Sequence, residues 1–157
     1  MMRKQIIGLV TAILVVAGVA GYAWWDSWQA KQRAAASREA LAVAPAAATA
    51  IFSYDYRTFD VAVANGSGFA TGTFASEYAK TTTALKDSVV KEQAVVSAQV
   101  SASGVISAQP GRVEVLLYVN QYRRNVNISG EKVDQNRVVL ILVKVDDSWK
   151  VSAASAL

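Results

Sequence analysis

The sequence predicts an α+β domain carried on one membrane-spanning helix. Three observations lead there: an uncharged apolar run near the N-terminus, apolar residues at helical spacing through the next part, and a change to strict alternation after Gln93. Helices first and strands afterwards argue for helices packed on one face of an antiparallel sheet.

The apolar run is Ile6 to Trp25, with no charge and one aliphatic hydroxyl, Thr11. At about 1.5 Å per residue a helix of this length matches the ~30 Å hydrocarbon core of a bilayer. Trp24, Trp25 and Trp28 gather at its end, where aromatic rings favour the headgroup level, so they are the candidate interfacial anchors. Arg3 and Lys4 precede it, while Lys31, Arg33 and Arg38 follow. A short basic tail before a long domain fits a signal anchor, with the N-terminus cytoplasmic and the C-terminal domain periplasmic. The competing reading is a cleaved signal peptide, with Gly18-Val19-Ala20 as the small-residue site. Small residues at four-residue spacing, Gly8/Ala12 and Ala17/Gly21, are the candidate contacts to a partner helix in the membrane.

The expected organisation is a cytoplasmic tail (1–5), a transmembrane helix (6–25), a helical stalk (26–45) and an extracytoplasmic domain (46–157). The stalk is rich in Ala, Gln, Arg and Glu, which favour helix, and Ala44-Pro45 is expected to kink it or start a new helix. Phe52, Tyr56, Phe59 and Val63 form one helical stripe, which Asn65-Gly66-Ser67-Gly68 breaks. Phe74, Tyr78, Leu85 and Val89 form a second. Val96, Ala98, Val100 and Ala102 then alternate with polar residues, as a strand with one buried face does. Gln109-Pro110-Gly111-Arg112 reads as a turn before a strand over 113–126, and Ile128-Ser129-Gly130 as the next break. Arg137 to Val145 reads as a central strand, Asp146-Asp147-Ser148 as a hairpin, and Trp149 to Ser152 as the returning strand. Helices followed by a four-stranded meander are the layout of the cone fold of nuclear transport factor 2.

Composition removes several function classes. The chain has no cysteine and no histidine, which excludes thiolate zinc sites, cysteine nucleophiles and imidazole bases. The net charge of +4 is not clustered, so nucleic acid is not an expected partner. Asp55, Asp60, Tyr54, Tyr56, Tyr118 and Tyr122 remain as acid–base candidates, but both aspartates lie off the apolar stripe, where they face water, cap a neighbour or pair with an arginine such as Arg57. No cofactor or metal is expected. The densest polar cluster, Asp134-Gln135-Asn136-Arg137, is either a partner surface or a structural turn entering the central strand. The spacing of Gly66, Gly68 and Gly72 lacks the strand and the Lys-Ser/Thr ending of a phosphate loop.

Three stretches, Ser53-Tyr54-Asp55-Tyr56-Arg57-Thr58-Phe59-Asp60, Glu77-Tyr78-Ala79-Lys80-Thr81-Thr82 and Val133-Asp134-Gln135-Asn136-Arg137-Val138, carry a resemblance. With Val143-Lys144-Val145 before Trp149-Lys150-Val151-Ser152, the chain resembles the actinobacterial Mce-associated membrane proteins, which accompany lipid-import systems of mycobacteria and relatives. The resemblance implies a domain of the nuclear transport factor 2 type. It also implies a non-catalytic accessory or stabilising subunit whose partners are the transporter's permease and Mce proteins and membrane lipid. The alternative it leaves is a lipid-binding module, for which the cone must hold an open apolar cavity not filled by Phe52, Phe59, Leu117 and Trp149. Bitopic subunits of type IV secretion systems share the same plan of short tail, span and outer domain.

Overall fold

The structure, a computed structural model, describes the backbone of residues 2–157 and the side chains of residues 18–157. One helix, α1, runs from Met2 to Phe52. A two-residue strand, β1 (Tyr54–Asp55), and a 3-10 turn (Tyr56–Thr58) lead into α2 (Phe59–Ser67) and α3 (Gly72–Lys91). Four long strands follow: β2 (Val95–Gln109), β3 (Arg112–Arg124), β4 (Lys132–Val145) and β5 (Ser148–Ala156). The sheet order is β1-β2-β3-β4-β5, with every neighbouring pair antiparallel.

The α+β prediction and the meander hold, but the sheet has five strands rather than four. The extra strand arises where a continuous helix was expected. Ser53 ends α1, and its hydroxyl accepts a hydrogen bond from the Ala98 backbone at 2.9 Å, which draws Tyr54 and Asp55 alongside Val96 and Val95. Phe52, Tyr56, Phe59 and Val63 therefore do not share one helix. Asp55 restarts the chain by accepting from the Arg57 backbone at 2.9 Å, the work of an N-cap.

Of the two expectations at Ala44-Pro45, a new helix does not start there: Pro45 lies inside α1. A proline there forfeits one backbone bond. The helix persists because Ala36, Ala40, Ala44, Ala47, Ala48 and Ile51 form one buried stripe whose small side chains let it lie close on the sheet. In the same buried cluster are Ala98 of β2, Val113, Val115, Leu117 and Val119 of β3, Leu140 and Leu142 of β4, and Val151 of β5, with α1 lying mainly on β2 and β3. Leu116, Val139 and Ile141 alternate onto the other face, where they are half-buried.

The connections follow from local chemistry. α3 stops because Gln93 takes a left-handed conformation (φ 50°). Its N–H donates to the Val90 carbonyl at 3.2 Å and that of Ala94 to Val89 at 2.9 Å, the paired bonds of a Schellman cap. Pro110-Gly111 turns β2 into β3, and Gly111 supplies the positive φ (79°). Asp146 and Asp147, both at positive φ, turn β4 into β5 as expected. The α2–α3 loop lies on the free edge of β5, where the Val151 N–H donates to the Phe69 carbonyl at 2.7 Å and the Thr71 N–H to the Val151 carbonyl at 2.9 Å.

Among the described residues no helix is long and apolar enough to cross a membrane. Most of the predicted span Ile6–Trp25 lies outside the residues whose side chains are described, and so do Gly8, Ala12 and Ala17 of the predicted partner contact. Gly21 is described, and the space around it is open.

Candidate functional site: an apolar groove and a polar sheet end

The break at Ser53 opens a groove of about 320 Å³ between the end of α1, β1, α2 and α3. Its apolar wall is built from Ile51, Phe52, Phe59, Val63, Phe74 and Leu85. Its polar rim carries Tyr54, Glu77, Tyr78, Thr81, Thr82 and Gln121. The Tyr54 and Phe59 rings meet edge to face at 5.8 Å, and Phe74 and Tyr78 lie 6.2 Å apart. Burial pushes the Tyr54 and Tyr78 phenols above their ordinary value, so both stay neutral hydroxyls. Phe52 and Phe59 line this groove without closing it, whereas Leu117 and Trp149 are buried in the core.

Neither candidate aspartate lines the groove, whose one carboxylate among the described residues is Glu77 on the rim. Hydrogen bonds from the Arg57 side chain and backbone hold Asp55 at about 2, well below the usual carboxylate range. Asp60 pairs with Lys86 at 2.7 Å on the surface. Among the described residues no polar or charged residue is buried, and no cluster of acidic side chains could hold a metal ion. Tyr56 borders the Arg57 guanidinium, and Tyr118 and Tyr122 stand on β3. The groove can bind an apolar group and hydrogen-bond a polar one through Tyr54, Tyr78, Thr81, Thr82 and Gln121.

The Asp134–Arg137 cluster is not a turn: all four residues lie within β4, paired in register with Gln121, Asn120, Val119 and Tyr118. Polar residues here therefore do not mark a chain reversal but a strand whose ends are wet. Asp134 pairs with Arg123 at 2.5 Å, and the Asn136 amide donates to Gln121 at 3.0 Å. Gln121 also lines the groove, so the polar cluster and the apolar groove share one end of the sheet. Sequence reasoning missed Tyr78, Thr81, Thr82 and Gln121 as site residues. The signal for Tyr78 was present in Gly66, a buried helical glycine against which the Tyr78 ring packs.

Trp24, Trp25 and Trp28 are 77%, 58% and 51% exposed on α1, which runs on through Lys31, Arg33 and Arg38 to the sheet. At the stalk end of the sheet, Glu39 accepts from Trp149 Nε1 and from Lys144 Nζ, both at 3.0 Å. These bonds lower its carboxyl pKa.

No family model matches the chain, and no curated protein matches it. Solved structures do. An IcmL-like type IV secretion system protein from Legionella pneumophila is 16% identical, with a TM-score of 0.64 over 74% of this chain and 88% of that one. The periplasmic domain of DotI is 20% identical, with a TM-score of 0.62 over 74% and 91%. VirB8 of Agrobacterium tumefaciens is 15% identical, with a TM-score of 0.56 over 74% and 92%. At these identities the likeness concerns architecture: helices on one face of an antiparallel sheet, in the arrangement of nuclear transport factor 2 and VirB8.

Proposed function

We propose that the chain is a non-catalytic assembly subunit of a multi-protein complex in the cell envelope, anchored by the N-terminal part of α1, with its sheet domain on the extracytoplasmic side. The carrying observation is that the two candidate aspartates are engaged outside the groove, Asp55 with Arg57 and Asp60 with Lys86, on a domain attached to one long helix. The likeness to domains of secretion-system proteins supports a role in which contact, not chemistry, is the output. Leu116, Val139 and Ile141, half-buried on the sheet face opposite α1, offer a partner an apolar strip. The resemblance to Mce-associated proteins points to a lipid importer of the mycobacterial type, with permease and Mce subunits as partners. Gly8, Ala12, Ala17 and Gly21 are the proposed contacts in the membrane.

The test is affinity purification of the tagged full-length protein in mild detergent, beside a version whose residues 6–25 are replaced by an unrelated span. Recovery of transporter subunits with the natural span only places the contact in the membrane. Recovery with both places it on the domain, and recovery with neither refutes the assembly role. A second reading, a lipid-binding module, is favoured by one observation, the open apolar groove walled by Phe52, Phe59 and Phe74. It predicts that lipid extracted from the purified protein is lost when Val63→Glu places a charge in that wall.

A further inference from the structure

We propose that the stalk end of the sheet, carrying the β2–β3 turn at Pro110–Gly111 and the β4–β5 turn at Asp146–Asp147, lies against the lipid headgroups. The groove and the Asp134–Asn136 edge are thereby held tens of ångströms out from the bilayer. The inference rests on the anchoring reading above and adds an orientation to it.

The direction comes from two sets of contacts. Near the start of its packed segment, α1 is tied through Glu39 to Lys144 and Trp149. Lys144 in turn donates its backbone N–H to the Gly111 carbonyl at 2.9 Å, so both turns sit at this end. At its other end, Ser53 of the same chain segment bonds to Ala98, and Ala98 is in register with Gln121 of the groove. The helix thus crosses the sheet from the turn end to the groove end, and its N-terminal extension leaves past the two turns.

The distance comes from the helix itself. Between Asp26 and Ala44 the chain has no glycine or proline, and α1 is unbroken. Trp28 precedes the first buried alanine, Ala36, by only about two turns, a rise of roughly 12 Å. Rings of Trp24, Trp25 and Trp28 settled at the headgroup level leave no slack for the turns to stand far off. Lys31 and Arg33, both exposed, fall between Trp28 and Ala36, the interval that this orientation sets beside the lipid phosphates. Strand β4 has 14 residues, so its Lys132 end lies about 45 Å from its Val145 end at ~3.3 Å per residue. A partner of the groove or of Asp134 must therefore approach from the aqueous side, not laterally within the membrane.

The absence of native cysteine makes the test direct. Single cysteines at Ser148→Cys and Gln109→Cys at the stalk end, Asn127→Cys at the far end and Gly21→Cys in the span are labelled with a fluorophore. The full-length chain is then placed in nanodiscs containing lipid with a nitroxide on its headgroup or on its acyl chain. Headgroup quenching at 148 and 109 at least fivefold stronger than at 127 is the expected result. Equal quenching at the two ends, or stronger quenching at 127, overturns the orientation. No quenching at 21 by either nitroxide refutes the anchoring reading itself, and the orientation with it. Insertion of Gly-Ser-Gly-Ser after Ala34 is expected to reduce the contrast below twofold; survival of the full contrast would overturn the assignment of the orientation to a stiff stalk.

Discussion

Replacing Gly66 by alanine tests how tightly the wall of the groove is packed. On an exposed helix the change stabilises by about 1 kcal/mol, because glycine is the costlier residue. Gly66 lies near the end of α2, buried against α1 and α3. A Cβ there would run into the Tyr78 hydroxyl, stand 2.7 Å from Tyr78 Cζ and meet the Ala50 carbonyl oxygen at 3.1 Å. The Tyr78 ring can yield only by swinging into the groove, and the Ala50 backbone yields little. Overpacking of this kind costs about 1–3 kcal/mol, which exceeds the propensity gain. We expect Gly66→Ala to lower stability by about 1 kcal/mol net, or about 4 °C in Tm for a domain of this size. The assay is thermal unfolding of the detergent-solubilised chain by circular dichroism, run as a double-mutant cycle with Tyr78→Leu. Trimming the ring should return most of the loss in the Gly66→Ala background. A Gly66→Ala protein more stable than the parent, or a cycle with no coupling, would refute the packing argument.

Other outcomes are equally checkable. Trp149→Ala should cost about 3–5 kcal/mol in unfolding measurements, since the ring is buried under α1. Trp149→Phe should raise the Glu39 pKa toward its ordinary value in an NMR titration, because the indole N–H is the main group lowering it. Asp55 is depressed in the folded state to about 2, so its stabilisation is fully present above the unfolded carboxylate pKa and is lost as pH falls toward 2. Asp55→Asn should flatten that part of a plot of Tm against pH. Gln93→Gly should stabilise by up to about 1 kcal/mol, because glycine takes the left-handed cap position without steric cost; a lower Tm would contradict it.

The meander was legible because its signals are local. Alternation from Val96, the Pro110-Gly111 turn and the Asp146-Asp147 hairpin each act within a few residues, and the strands follow them. The groove was not legible, because it depends on a long-range bond. Phe52, Tyr56 and Phe59 do have helical spacing, and only the Ala98 N–H, brought to Ser53 by the sheet, ends the helix between them. Pro45 misled for the same reason in reverse. A local breaker was overridden by the buried alanine stripe on either side of it, whose partners lie in β2 and β3. Asp134 to Arg137 looked like a turn because polar residues cluster there, yet each has a strand partner in β3 that only the fold reveals.

These two departures bear on function together. A new helix at Pro45 would have parted the domain from its stalk; one continuous helix instead joins them, fixed near the base of the sheet by Glu39, Lys144 and Trp149. The break that the periodicity did not predict, at Ser53, then places the groove at the far end of that helix beside Gln121 and Asn136. The two candidate aspartates are engaged with Arg57 and Lys86 at the surface, away from the groove. An assembly subunit gains a defined height and direction for its contact surface. The stiffness of α1 is thus as much a part of the proposed site as the residues that line it.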